Sequence, residues 1–451
     1  MTSMKKYLIG LFSLCMCYIQ AQSFSVEEVK QDATALIEGL KTYNPALYLY
    51  NPDFDQQVAS VVATVDEPLS LVQYYAFMNQ IGALSNEGHF RIDAKAVSPG
   101  FRNNEYAYLP MEVVILDNRI FVSRYFSEAE SFEPFDEILS INGKPAVEIL
   151  NELYKHIPAD GEIRSYQRFK AEEGFAWRYY TFVEQPNSFE LLCQREGALE
   201  PFTIELSALT REQQVENFRN RYASNSAPEQ AQSIADFYTL DIQPNYAYLQ
   251  LKSFNYQLIK QYKLKANRFY QERFAEITAA GVEHLIIDLR DNSGGRIEFT
   301  RAILPFVQTE VTVDFLKRAT SWKGKAKTYS FPKQKKDAFT GQIYVLVNGA
   351  TFSSASEITR YLKEYTNAIV IGEETASRYE GFVAGSSQVV VLPASGIKAY
   401  IPRYHNLFPP ASQQLTTNRG VLPQVEVQAK IDDIKADRDV ALEAALRLIK
   451  Q

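Results

Sequence analysis

From Ile343 the chain reads IYVLVNGATFSSASEITRYLKEYTNAIVIGEE, and no other stretch constrains the fold as tightly. Ile343–Val347 is a short apolar run, broken at Asn348-Gly349. After a serine cluster, Ile358, Tyr361, Leu362 and Tyr365 recur at helical spacing, and Ala368–Ile371 is a second apolar run stopped by Gly372. The pattern predicts buried strand, tight loop, helix, buried strand. A serine where a strand gives way to a helix is held outward, with helix amides facing any negative charge that develops on a bound group. Ser354-Ala355-Ser356-Glu357 also fits a capping box, in which the serine only satisfies helix amides. On this stretch alone both readings stand.

Upstream lies HLIIDLRDNSGG, His284 to Gly295, another apolar strand ending in a glycine turn. The two motifs together, DLRDNSGG then VNGATFSSASEI, resemble the tail-specific (C-terminal processing) serine protease family. The match rests on Asp288, Leu289, Arg290, Asn292, Gly294 and Gly295, then on Ser354, Ala355, Ser356 and Glu357, and covers roughly Tyr246 to Val427. The resemblance implies a mixed α/β fold with a ClpP/crotonase-like α/β core. It implies a serine peptidase acting through an acyl-enzyme, with Ser354 as nucleophile at the first serine of SASE. The backbone amides of Ala355 and of the Gly294-Gly295 turn are the expected oxyanion donors, since glycine lets the backbone approach a carbonyl. Asp288 and Arg290 read as buried charges that pair for structural reasons.

A serine hydroxyl needs a base. The best-known members of the family use a lysine in a GKG segment, but this chain has GEETASRYEG there, with Arg378 or Tyr379 at the lysine position. Arginine stays protonated and cannot be a general base. His89, one of four histidines, follows Gly88 directly after a helical stretch. Its setting resembles the D-G-H-T motif of relatives with an N-terminal helical domain, with Glu87 for Asp and Phe90 for Thr. His89 is therefore the expected base, as in the tricorn-like Ser-His branch. In that branch a glutamate near a final NxGVxPDxxV segment completes the triad. Here Thr417 stands at its position and Gln424 replaces the aspartate, leaving Glu87, Glu373 and Glu380 as open candidates. His156 reads as an exposed helix end, His284 as the start of a strand, and His405 as a loop residue. No His, Cys, Asp or Glu spacing suggests a metal, and no cofactor is implied.

The remainder divides by pattern. Residues 1–21 read as a secretory signal: Lys5 and Lys6, then an apolar Tyr7–Ile19 too short to span a membrane comfortably, then Ala21 before the cleavage point. The expected location is therefore export, periplasmic or secreted. Cys15 and Cys17 lie in that segment without the small preceding residue of a lipoprotein box, so Cys193 is the one cysteine left, and no intrachain disulfide is expected. Residues 22–95 are helical in pattern, opening at Ser25-Val26-Glu27-Glu28 and again at Pro68 and Ser70. Residues 100–206 are mostly strand. Within them PFDEILSINGKPAVEIL, Pro134 to Leu150, resembles a PDZ core, with Phe135 where glycine is usual. A PDZ domain captures an extended chain end by adding a strand and cradling the carboxylate. Residues 207–241 read as a polar linker, and 242–451 as the catalytic α/β domain, including a long helix over Leu258–Ala280 and a strand near Val311.

A net charge of -7 with no basic tract argues against a nucleic-acid partner. The expected partner is a peptide or protein substrate, engaged at its C-terminal segment. The competing expectation is a non-catalytic peptide or small-ligand binder on the same fold, as in retinoid-binding relatives of the family. The 28 Tyr and 28 Phe are absorbed by a core and do not argue for a polysaccharide partner.

Overall fold

The computed structural model describes residues 23–127, 132–222, 233–311, 313–410 and 417–451. The expected signal segment 1–21 and the loosest part of the expected linker, 224–228, lie outside the described residues.

A six-stranded sheet carries the two motifs. Its order is Tyr238–Ile242, Tyr246–Leu251, His284–Asp288, Gln342–Val347, Ile369–Gly372 and Val425–Glu426. The first pair is antiparallel and every later pair is parallel, with Leu285 opposite Ile343 and Val345 opposite Val370. Parallel strands are buried on both faces, which is why these segments are nearly continuous apolar runs. Side chains alternate across the sheet. Leu285, Ile287, Ile343 and Val345 meet Phe269, Phe274, Ile277, Ile358, Tyr361 and Leu362 on one side. Ile286, Tyr344, Leu346 and Ile371 meet Ala441, Ala444 and Ala445 of the helix Val440–Ile449 on the other. Each fully buried large side chain contributes about 1.5–3 kcal/mol. The sheet is thereby a rigid base for the loops at its strand ends.

The helix expected over Leu258–Ala280 is two, Tyr256–Gln261 and Ala266–Ala280, broken where Lys263 takes φ 52°. The strand expected near Val311 begins later, at Lys317–Ser321. Part of the expected linker, Tyr238–Ile242, is the edge strand of the catalytic sheet.

A second, antiparallel sheet orders Ala326–Tyr329, Lys317–Ser321, Lys398–Leu407 and Gly381–Val391, with Arg91–Ile92 pairing onto Lys398–Leu407. Helices Val26–Tyr43 and Leu71–Ala83 are each opened by a capping box; the first packs against the long hairpin, and the second packs against the first and against Arg91–Ile92. A third sheet, Met111–Leu116, Arg119–Tyr125, Glu137–Ile141, Ser188–Gln194 and Phe202–Ser207, packs with Ala146–Lys155 and Phe175–Phe182. The apolar cluster of this sheet is continuous with that of the N-terminal helices and with Leu392, Ala399 and Ile401 of the hairpin. The segment bearing His89 is thus fastened to the catalytic half by a shared core. No helix among the described residues is long and apolar enough to cross a membrane.

Candidate active site

The strand Gln342–Val347 ends at a loop closed by its own polar groups. Asn348 donates its amide to Thr351 Oγ1 (3.0 Å), and the Asn348 carbonyl accepts from Thr351 N (2.9 Å). The Asn292 carbonyl accepts the amide of Phe352 (3.0 Å), joining this loop to the DLRDNSGG turn. The next residue, Ser353, takes φ 55° and ψ -119° immediately before the helix Ser354–Tyr365. A side chain in that backbone region costs about 1–3 kcal/mol. It persists here because the backbone is held on both sides: Ser353 N donates to Ser377 Oγ (2.8 Å), and its carbonyl accepts Glu357 N (2.9 Å). Its side chain makes no capping bond and is turned outward. It faces His89 Nε2 at 2.9 Å, across 264 residues of chain.

The structure thus brings Ser353, and not the expected Ser354, to His89. Ser354 is 1% exposed, and its Oγ has no hydrogen-bond partner among the described residues. The physical reason is helical phase. Ser354 shares a stripe with Ile358, Tyr361 and Tyr365, the face that packs on the sheet. Anchoring on SASE hid this; the spacing Ser354, Ile358, Tyr361, Tyr365 is the sequence signal that reveals it.

The amides open to a bound carbonyl differ in part from those expected. Ala355 N donates to Phe352 O (3.1 Å), and Gly294 N donates to Asn292 Oδ1 (2.8 Å), so of the three expected amides that of Gly295 alone is left without an acceptor among the described residues. The amides of Ser354 and Gly295 find no acceptor among the described residues, and both residues line the cleft beside Ser353. Gly294, at φ 85°, brings the turn against the serine loop: a Cβ there would lie 2.9 Å from Ser354 N and 2.7 Å from Phe352 O. Gly295, at φ 137°, has no room either, with Phe254 O 2.1 Å from a would-be Cβ.

His89 is wedged between the rings of Phe352 (4.4 Å) and Phe382 (5.5 Å). Burial holds its imidazole below the usual range, so it is neutral at pH 7 and able to accept a proton. Its Nδ1 faces Glu87 Oε1 at 3.3 Å. Among the open third candidates, Glu87 is the one that meets His89. Glu373 pairs with Arg168, and Glu380 accepts the amide of Asn418 (2.9 Å). Glu87 is fully buried, and its Oε2 accepts Val383 N (2.6 Å). Burial, then repulsion from Asp160, raises its carboxyl well above the ordinary range. Asp160 is also fully buried; it accepts Gly88 N (2.7 Å) and Arg378 N (3.1 Å). The ligating atoms of Glu87, His89 and Asp160 lie within 4.8 Å of one another. The carboxylates already accept those three amides, and the nearby Arg378 guanidinium supplies positive charge, so the set is poorly suited to a cation.

Among the described residues, no lysine hydrogen-bonds Ser353 Oγ. Arg378, at the family's lysine position, lies over the Tyr50 ring (3.6 Å) and donates to Asn86 O (2.6 Å) and Asn418 Oδ1 (3.1 Å). Tyr379 hydrogen-bonds Glu364. Lys363 donates to Leu422 O (2.6 Å). Lys317 lines the cleft, yet both Glu357 oxygens hold it, at 2.8 and 2.9 Å. The other histidines sit elsewhere. His156, expected at an exposed helix end, is buried against Phe182 and bonded to Ala76 O (3.0 Å). His405 Nε2 meets Tyr50 Oη at 2.8 Å. Asp288 and Arg290 form a structural pair extended to Asp439 at the start of the last helix. Cys193 is buried and free, its thiol pushed up to about 12 by burial.

Ser353 and His89 open onto a cleft of about 760 Å³, walled by Tyr329, Phe352, Phe382 and Tyr404. That is ample for several residues of an extended peptide.

Residues 245–427 match the model of peptidase family S41, nearly the span over which the motifs were matched. No curated protein matches the chain. Among solved structures, a CPAF mutant is similar at a TM-score of 0.67 and 14% identity, covering 94% of this chain and 98% of that one. Mature CPAF complexed with lactacystin is similar at 0.65 and 16%, covering 94% and 98%, and mature CPAF at 0.61 and 15%, covering 91% and 94%. At these identities the likeness is one of fold. With the S41 match, the chain is a serine-type peptidase.

Proposed function

We propose that this peptidase cleaves peptide bonds through an acyl-enzyme on Ser353, with His89 as general base and Glu87 as the group that orients it. The observation that carries the reading is the 2.9 Å contact between His89 Nε2 and Ser353 Oγ. With the Nδ1 proton turned to Glu87, Nε2 accepts the serine proton as Oγ attacks the carbonyl carbon. The carbonyl oxygen becomes an oxyanion against the Ser354 and Gly295 amides, each such donor being worth about 3 kcal/mol at the transition state. The imidazolium then gives its proton to the leaving amine. Water repeats the sequence on the acyl-enzyme and regenerates Ser353.

Two finer parts extend the reading. The chain is exported, on the Lys5-Lys6 and Tyr7–Ile19 pattern, so that the mature protein begins near Gln22; an intact Met1 by mass spectrometry of protein from its native host would refute this. The PDZ-like region 100–206 presents substrate C-termini to the cleft.

The test is labelling with a fluorophosphonate probe, followed by peptide mapping. Modification at Ser353, lost in Ser353→Ala and in His89→Ala, is the expected result. A folded protein that takes no label would instead favour the non-catalytic binding role.

A further inference from the structure

Two carboxyl groups stand behind His89 where one would suffice to orient it. Glu87 and Asp160 are both 0% exposed and come from different parts of the chain. One oxygen of each and one imidazole nitrogen lie within 4.8 Å of one another. One guanidinium, that of Arg378, offsets negative charge there, and its side-chain donors go to Asn86 O and Asn418 Oδ1 rather than to either carboxylate. Two buried carboxylates this close repel one another, which disfavours ionising both.

We propose that Glu87 and Asp160 act as a single proton-sharing unit, which makes Asp160 a positioning residue of the reaction although it touches no substrate. The inference rests on the Ser353–His89 reading above. At rest the charge sits on Asp160, whose two oxygens accept the amides of Gly88 and Arg378. Glu87 accepts one amide, from Val383, and carries the proton. When His89 Nε2 takes the Ser353 proton, the shared proton moves from Glu87 to Asp160. The negative charge then lies on Glu87, against the Nδ1–H of the new imidazolium. When the imidazolium protonates the leaving amine, the shared proton returns. The unit carries one negative charge throughout, and no proton is gained or lost. The other titratable groups facing it are Tyr50 and Tyr166, both raised by burial, with Glu380 and His405 beyond Tyr50.

The experiment is the rate of fluorophosphonate labelling against pH, in the full chain, for wild type, Asp160→Asn and Glu87→Gln, with folding checked by circular dichroism. In Asp160→Asn the charge is fixed on Glu87 beside the imidazole. The midpoint of the acid limb is expected to move up by about one pH unit, and the plateau rate to fall about tenfold or more. A midpoint that stays put or moves down overturns the proposal, whatever happens to the plateau, because Asp160 then only staples the His89 loop. If Asp160→Asn does not fold, Glu87→Gln decides. With the resting charge on Asp160 its midpoint drops by less than about half a unit; a drop of more than about one unit means that Glu87 was charged all along, and overturns the proposal. Wild-type labelling at a residue other than Ser353 would sink the underlying site reading, whereas labelled Ser353 with an unmoved midpoint sinks only the shared proton.

Discussion

Replacing Ser354 by alanine separates the two adjacent serines in sign as well as in size. Ser354 Oγ is buried and unpartnered among the described residues. A buried hydroxyl without a partner costs about 1–3 kcal/mol. Alanine removes that cost and gives up only the dispersion contacts of one atom, a few tenths of a kcal/mol. Ser354→Ala should therefore be more stable than wild type by about 1 kcal/mol, and should keep its labelling rate within about threefold. Ser353→Ala should behave in the opposite way. It loses the His89 hydrogen bond, about 0.5–1.5 kcal/mol, and keeps the backbone strain, since alanine suffers at φ 55° as serine does. Its peptidase activity should fall by about 10⁴–10⁶, equivalent to about 5–8 kcal/mol of transition-state stabilisation. Urea unfolding gives the stabilities from the midpoint shift at constant slope. Labelling and hydrolysis of a peptide substrate give the activities. A Ser354→Ala protein that is destabilised by more than about 1 kcal/mol, or that no longer labels, would refute the assignment of the buried face.

Activity should decline on the acid side with a midpoint below the ordinary imidazole value of about 6.5, because burial favours neutral His89; a midpoint at or above that value would count against His89 as base. Burial and Arg378 push His405 down to about 4, so the unfolded chain takes up a proton there before the folded one does. The stability this contributes is present above about pH 6.5 and is lost as pH falls towards 4, by at most about 3 kcal/mol; urea midpoints of wild type and His405→Asn between pH 7 and 4 should show the difference in slope. Gly294→Ala should abolish labelling, since its Cβ would displace the Ser354 amide; retained labelling in a folded variant would remove that amide from the mechanism. A peptide with a free C-terminal carboxylate should bind more tightly than its amide, and equal affinities by calorimetry would assign region 100–206 to packing alone.

The catalytic sheet was legible in the sequence because parallel strands buried on both faces leave unmistakable apolar runs, as at Leu285–Ile287 and Ile343–Val347. That His89 lies beside the serine loop was anticipated from Gly88-His89 after a helical stretch, which resembles a D-G-H-T motif. Asp160 was invisible: it reaches His89's loop from some 70 residues away, and nothing local marks it. That Ser353 rather than Ser354 meets His89 was not anticipated, for a different reason. A four-letter motif outweighed the 3.6-residue period of the helix that contains it, and the period was the physical constraint. Similarly, Tyr238–Ile242 looked like part of a linker because it is an edge strand, with intermediate and exposed positions where a central strand would be apolar.

His89 and Ser353 stand 264 residues apart, and the segment bearing His89 is held in place by an apolar core that runs from the N-terminal helices into the strand Lys398–Leu407. A chain still being synthesised, or threaded unfolded through a pore, has neither that core nor the pairing it imposes. The proposed Ser353–His89 pairing is therefore a property of the finished tertiary structure alone.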